Sequence, residues 1–317
     1  MAFCLEEENR EGYVVSRKMK RVWLLEMDLL WQLLRVCHKY GLQVWVDGGT
    51  LLGTVRHHGF IPWDDDIDVC MMRPDYDRLL EVAGDEFREP YFFQTAYTDV
   101  DYYRAHAQLR NSQTTGVRPS ECYNPYNMGI FIDIFPMDGV PATEEGRRHT
   151  LRTSRRIQRF LKTKNLHLMA SGRLTLIFRK LKCLWQVRTR GWEAVFRPCE
   201  DVLRETSVAE ATHVAEICFS GYDFVLDKHL FDETVWLCFE DMKVPVPARY
   251  DEVLRIQYGD DYMTPRRTAT YHGEVIFDTA HSYVERLPEI RRQYRLSALK
   301  RGWDKLRAKF CSPHRTP

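Results

Sequence analysis

The sequence predicts an α+β protein. Three observations carry that reading: a helical period of apolar residues near the start, short apolar strands broken by single charges, and a long basic stretch whose apolar residues recur at helical spacing. Residues 16–39 place Val22, Leu25, Leu29, Leu33 and Val36 between charges, the pattern of an amphipathic helix, and Gly41 supplies its stop. Residues 43–46 read as a short buried strand, Gly48 and Gly49 as a turn, and residues 50–56 as the first turns of a helix capped by Thr50. Ile61-Pro62-Trp63 breaks that helix ahead of an acidic strand at residues 66–69. Alternation there sends Asp66 and Asp68 to one face and Ile67 and Val69 into a core, so two carboxylates can converge on one cation. A further strand is expected over residues 129–135, GIFIDIF, where Ile130, Ile132 and Ile134 alternate with Phe131, Asp133 and Phe135.

Asp133 is the one charge in that apolar strand. A carboxylate there is costly to bury unless a cation or a donor meets it, which makes Asp133 the candidate third metal ligand. The alternative is an edge strand that faces Asp133 to water and so blocks further pairing. Asp64, Asp65 and Asp66 have their own plain alternative, a solvated acidic loop.

The chain has 317 residues, with 46 basic and 45 acidic side chains and a formal charge of +1, so its average composition gives no reason to expect nucleic acid as a partner. The N-terminal residues MAFCLEEENREG lack the basic start and apolar core of a secretory signal. Residues 22–36 are interrupted by Glu26, Asp28 and Arg35 and fall short of the ~20 apolar residues a bilayer span needs. Nine scattered cysteines without a Cys-x-x-Cys pair fit a reducing cytoplasm better than a disulfide framework or a zinc site. The expectation is a cytoplasmic enzyme without a transmembrane helix.

Four segments are expected: an N-terminal helical segment (1–42), a catalytic core (43–140), a basic helical insertion (141–215) and a C-terminal substrate-side and helical region (216–317). Between Glu145 and Glu193 there are fourteen Lys and Arg residues and no acidic one. With the apolar residues that share these helices, the insertion suits peripheral contact with an anionic membrane, on the inner face of the plasma membrane, or with a polyanionic glycan. A solvated helical face is the alternative. A second basic stretch with an apolar stripe, residues 286–315, is expected to dock on the body or on lipid.

The chemistry follows from the parts. Phosphoryl transfer needs its anionic oxygens neutralised and its attacking and leaving oxygens held in line, a task for magnesium on a carboxylate cluster, here Asp66, Asp68 and Asp133. Gly48 and Gly49 let backbone N–H groups approach phosphate, and the helix after them offers its positive end. Asp133 is assigned the proton of the attacking hydroxyl. Asp47, Asp64 and Asp65 are read as carboxylates that orient the ligands from behind or repel the wrong anion.

The run from Asp47 to Asp68, DGGTLLGTVRHHGFIPWDDDID, closely resembles the LicD family of bacterial phosphocholine transferases, which is related to the eukaryotic fukutin-related phosphoribitol transferases. A second resemblance lies in Tyr258-Gly259-Asp260-Asp261-Tyr262-Met263-Thr264-Pro265, followed by His272. The resemblance implies a nucleotidyltransferase-like fold, a small mixed sheet flanked by helices, with Gly48 and Gly49 at the phosphates. It also implies that Arg56, His57 and His58 could bind the leaving phosphate, and it points to His272 as a substrate contact. The activity implied is transfer of phosphocholine, or a similar phospho-alcohol, from a CDP-linked donor to a hydroxyl of a lipopolysaccharide, teichoic acid or capsule precursor, with release of CMP. Tyr102, Tyr103, Tyr123 and Tyr126 are candidates for a cage around a quaternary ammonium. Nucleotidyl transfer with release of pyrophosphate would use the same three aspartates. Asp66-Ile67-Asp68 also fits a manganese-dependent sugar-nucleotide glycosyltransferase, and a binding module without activity is the non-enzymatic alternative.

Overall fold

The structure, a computed structural model, describes residues 3–165, 174–267 and 274–310. A hairpin of β1 (Glu8–Arg10) and β2 (Tyr13–Val15) leads into the long helix α1 (Arg17–Tyr40). Ser16 caps α1 by accepting from the Met19 N–H at 3.2 Å, and Gly41 ends it in the left-handed region at φ 65°. The chain continues through β3 (Trp45–Val46), α2 (Gly48–His57), β4 (Asp68–Met72), α3 (Arg73–Glu86), β5 (Tyr91–Gln94), β6 (Ala107–Asn111), β7 (Thr115–Val117) and the ten-residue β8 (Ile130–Gly139). Three helices follow: α4 (Glu144–Lys162), α5 (Leu174–Arg190) and α6 (Trp192–Arg204). The remainder comprises β9 (His213–Ala215), β10 (Leu226–Asp227), the hairpin β11 (Thr234–Phe239) and β12 (Met242–Pro247), α7 (Tyr250–Tyr258), β13 (Ile276–Asp278) and α8 (Tyr283–Phe310).

This is an α+β fold around a mixed seven-stranded sheet. β8 is its spine. On one side it pairs parallel with β4, which pairs antiparallel with β3. On the other side it is antiparallel to β6 along its first half and to β9 at its end, with β5 and β10 outside them. All ten residues of β8 are buried, so Asp133 lies in the sheet interior and not at an edge. Arg73, at the start of α3, grips Asp138 of β8 with two hydrogen bonds of 2.6 and 2.9 Å, pinning that helix to the spine.

α1 buries Val22, Trp23, Leu29, Leu30, Leu33 and Val36 in the same core as the sheet. Two smaller apolar clusters adjoin it: one joins α4, α5 and α6, and the other packs Leu287 and Ile290 of α8 against Tyr102 and Tyr126. The basic C-terminal stretch therefore docks on the body through its first turns, where Arg291 also donates to the Cys122 carbonyl at 2.7 Å.

Local expectations shift in three places. α2 begins at Gly48 with Asp47 as its cap, so the two glycines form its first turn and Thr50 lies inside it. The Thr50 hydroxyl instead accepts from the Asp68 N–H at 2.9 Å, tying α2 to β4. The acidic strand starts at Asp68, leaving Asp66 in the preceding loop, while Ile67 and Val69 are fully buried as the alternation requires. No described helix is long and apolar enough to cross a membrane, and the eight cysteines among the described residues are free.

Candidate active site

Strand register brings the carboxylates together. Asp68 of β4 is the direct partner of Asp133 of β8, and Asp133 is the direct partner of Gln108 of β6. The ladder extends through Asp47, whose N–H donates to the Asp68 carbonyl at 3.0 Å. Gln108, Asp133, Asp68 and Asp47 therefore form one row across β6, β8, β4 and the residue that follows β3. Gln108 Nε2 donates to Asp133 Oδ1 at 2.7 Å, and His106 Nε2 lies 3.2 Å from the same oxygen. Burial works against the charge on Asp133, yet these two donors hold its carboxyl below the usual range. Asp68 goes the other way: burial, with Asp66 and Asp133 beside it, pushes its carboxyl well above that range.

The acidic loop lies within electrostatic reach of this row, where Asp66 and Asp64 act on the Asp68 carboxyl. Asp64, Asp65 and Asp66 each offer an oxygen within 4.8 Å of the others. Asp64 and Asp65 are buried at 7% and 6% exposure, so this is not a solvated loop. Its backbone is anchored from α1, where the Trp23 indole donates to the Asp64 carbonyl at 3.0 Å and stacks on Phe60 at 4.5 Å. The N-terminal turn of α2 closes the space between loop and row. A Cβ on Gly49 would lie 2.7 Å from Asp64 Oδ2, and one on Gly48 would lie 3.7 Å from Asp68 Oδ2. Gly48 also has φ +55°, which a side chain would strain.

Further groups converge that sequence reading did not assign to the site. Glu26 of α1 is 1% exposed, and burial together with Asp66, Asp65 and Asp64 raises its carboxyl well above the usual range. Glu216, just after β9, meets Asp47 side chain to side chain, and burial, Asp47 and Asp133 raise it in the same way. From α7, Gln257 Nε2 donates to Asp47 Oδ1 at 3.1 Å, and the Tyr258 hydroxyl lies 3.9 Å from the position of a Gly48 Cβ. Phe219 stacks on Phe135 with ring centroids 4.7 Å apart, yet remains 62% exposed beside His106.

Many carboxylates gathered this closely repel one another unless cations neutralise them. Their oxygens are hard donors of the kind magnesium and manganese take, and the mutual proximity of Asp64, Asp65 and Asp66 meets the spacing a single ion requires.

A family model described as the LicD/FKTN/FKRP nucleotidyltransferase domain matches residues 41–168. Residues 41–168 are a LicD-family domain. The lipopolysaccharide cholinephosphotransferase LicD of Haemophilus influenzae is 39% identical over 107 residues, a segment covering 33% of this chain and 39% of that protein. An uncharacterized protein of Rickettsia prowazekii is 41% identical over 81 residues, 24% of this chain and 28% of its own length. Human ribitol 5-phosphate transferase FKRP is 39% identical over 46 residues, 14% of this chain and 9% of FKRP. The matches thus span well under half the length of these curated relatives.

The LicD-family domain holds Asp47, Gly48, Gly49, Asp64, Asp65, Asp66, Asp68 and Asp133, while Glu26, Glu216, Phe219 and Tyr258 reach the site from outside it. Arg56, His57 and His58 are not brought to the glycines. They occupy the opposite end of α2, and the eight helical rises from Gly48 to Arg56 at ~1.5 Å each put roughly 12 Å between them. Arg56 donates to the Tyr262 carbonyl at 2.7 Å, His57 lies 3.3 Å from Glu11 and packs edge-on to Trp63, and His58 is the left-handed C-cap. His272 lies outside the described residues.

The four tyrosines form no open cage. Tyr102 and Tyr126 are 0% and 1% exposed in one cluster and Tyr103 belongs to another. Arg104 already covers the rings of Tyr102 and Tyr103, and Arg291 covers Tyr123.

Proposed function

We propose that this chain transfers phosphocholine, or a similar phospho-alcohol, from a CDP-linked donor to a hydroxyl of a cell-envelope glycan precursor and releases CMP. The row Asp47, Asp68 and Asp133 with the Asp64–Asp66 loop beside it carries the reading, because it concentrates hard anionic ligands next to the N-terminal turn of a helix. The LicD relative is named for transfer of cholinephosphate and FKRP for transfer of ribitol 5-phosphate, which supports a phospho-alcohol as the group moved.

In this reading Asp64, Asp65, Asp66, Asp68 and Asp133 would hold magnesium, with manganese as the alternative. When bound, the ion supplies neutralisation of phosphate charge. The chain's own groups do the rest. Backbone N–H groups at Gly48 and Gly49 receive the diphosphate at the positive end of α2. The acceptor oxygen attacks the phosphorus that carries the alcohol, and the bond from that phosphorus to the CMP oxygen breaks. The hydroxyl proton passes to Asp133, whose hydrogen bonds from Gln108 and His106 both fall on Oδ1 and so fix the carboxylate plane. The exposed face of Phe219 offers a planar surface for the cytosine ring.

Purified protein with magnesium should be incubated with CDP-choline, CDP-ribitol, ATP, CTP and UDP-sugars, alongside Asp66→Asn and Asp133→Asn. CMP release that both variants abolish supports the proposal. Turnover of nucleoside triphosphates with pyrophosphate, or release of UDP, would replace it with nucleotidyl or glycosyl transfer.

A further inference from the structure

The basic helical pair α4 and α5 carries chemistry that the transfer reaction does not use. α5 is apolar on two opposite faces. Cys183 and Val187 point into the body, where Cys183 is fully buried with α6. The other face presents Phe178, Leu181 and Trp185 at i, i+3 and i+7, with 70%, 57% and 64% of each residue exposed, and Leu184 beside them at 38%. Scattered single apolar residues on a surface need no explanation, but four large ones on one helical stripe make a patch.

Charge surrounds that patch. Lys182 is exposed on its flank and Arg188 one turn beyond Leu184 at its C-terminal end. In the groove between the two helices, Arg148, Arg152, Arg155, Arg156 and Arg159 of α4 meet Arg179 of α5. Among the described residues only Arg148 of these six has an acidic partner, Glu144 at 3.5 Å. No acidic residue occurs between Glu145 and Glu193 to neutralise the rest. Like charges packed this closely disfavour the groove unless an anionic partner neutralises them.

We infer that the α4–α5 face is a peripheral docking surface for an anionic lipid bilayer, with Phe178, Leu181, Leu184 and Trp185 entering the headgroup boundary and the arginine groove meeting lipid phosphates. Hydrocarbon and negative charge must come from the same partner. A bilayer surface rich in acidic lipid supplies both, whereas a polyanionic glycan supplies charge alone and would leave the apolar stripe in water. A lipid-linked acceptor would then be presented at the membrane, but the docking surface stands independently of which group is transferred.

Flotation of the full chain with vesicles of phosphatidylcholine, alone or mixed with about one third phosphatidylglycerol, tests this. Partition onto the mixed vesicles should exceed that onto neutral ones by roughly tenfold and should weaken as salt rises. Leu181→Ser with Trp185→Ser, and separately Arg156→Glu with Arg159→Glu, should each remove most of the binding while the thermal melt stays that of the wild type. Should either pair fail to fold, quenching by brominated lipid reads the same contact: it should be stronger in the wild type than in Trp185→Phe. A wild type absent from the vesicle fraction, equal partition on neutral and acidic vesicles, or equal quenching with and without Trp185 would overturn the inference. Retention on a soluble anionic polysaccharide without vesicle binding would do so too, in favour of a glycan partner.

Discussion

Asp68 and Asp133 stand directly opposite each other on adjacent parallel strands, two carboxylates in cross-strand register within a buried sheet. Like charges placed this way cost stability and are kept where a cation or a reaction uses them. Asp68→Asn should therefore raise the stability of the metal-free protein by roughly 1 kcal/mol, about 2 °C in melting temperature for a chain of this size. It should also lower turnover of the nucleotide donor by about a hundredfold or more. Magnesium at about 100 times its dissociation constant should stabilise the wild type by about 2.7 kcal/mol, clearly more than it stabilises Asp68→Asn, and chelation should reverse the gain. Thermal melts with and without magnesium check this. A wild type indifferent to divalent ions would remove the metal from the proposal.

Gly49 and Gly53 lie one helical turn apart in α2, yet the space around them differs in kind. A Cβ on Gly49 would press on the end of the Asp64 carboxylate at 2.7 Å, whereas one on Gly53 would meet the Gly59 carbonyl at 2.5 Å and the Ile61 nitrogen at 3.2 Å, both backbone. A carboxylate can swing aside and a packed backbone cannot. Gly53→Ala should destabilise the fold by about 2 kcal/mol through overpacking. Gly49→Ala should leave stability within about 1 kcal/mol, helped by the better helix propensity of Ala, while activity falls roughly tenfold as Asp64 is displaced. Denaturation midpoints beside initial rates separate the two. Equal stability losses would show that Gly49 is there for packing alone.

These contrasts mark what the sequence made legible. Asp68 and Asp133 could be picked out as candidates because strand alternation exposes a charge that breaks an apolar pattern, and Asp133 is the clearest instance, whereas Asp66 showed only as part of an acidic run and lies in the loop before β4. Glu26 carried a readable mark as well. It stands three residues after Trp23 and four before Leu30, on the buried face of α1, where a charge needs a reason. Glu216 and Phe219 carried none, because their position depends on the three-residue strand β9 pairing with the end of β8 some 75 residues earlier, and no local pattern encodes that. Arg56, His57 and His58 show the opposite case, in which sequence proximity does not become spatial proximity. They are near the glycines in sequence, and the rise of the helix between them carries them away.

Phe219 supplies a separate test of how the donor is held. One ring face rests on Phe135 and the residue stays largely exposed, so a planar base can stack on it without displacing any core contact. Phe219→Ala should raise the KM for the nucleotide donor roughly tenfold, about 1.4 kcal/mol, with kcat changed by no more than about twofold. Phe219→Tyr keeps the ring and should keep the wild-type KM. A fall in kcat with KM unchanged would mean that the ring acts on the geometry around His106 and not on the base.

Glu121 gives the fold a defined acid sensitivity away from the carboxylate row. Arg104 Nη2 donates to its Oε1 at 2.7 Å and the Tyr126 hydroxyl donates to its Oε2 at 2.8 Å. Burial opposes the charge, but Arg104 and Tyr126 overcome it and hold the carboxyl at about 2, against an ordinary value of 4.5. A carboxyl whose value is depressed on folding contributes stability that is fully present above about 4.5 and is lost as the pH falls from there toward about 2. That contribution is on the order of 3 kcal/mol. Glu121→Gln should therefore destabilise the protein at neutral pH by a similar amount, since Arg104 is left buried without its counter-ion. The gap between variant and wild type should hold constant from neutral pH to about 4.5 and narrow from there toward about 2 in urea titrations. A gap that stays constant across that window would show that Glu121 holds Arg104 and Tyr126 by shape, with its charge contributing nothing to the fold.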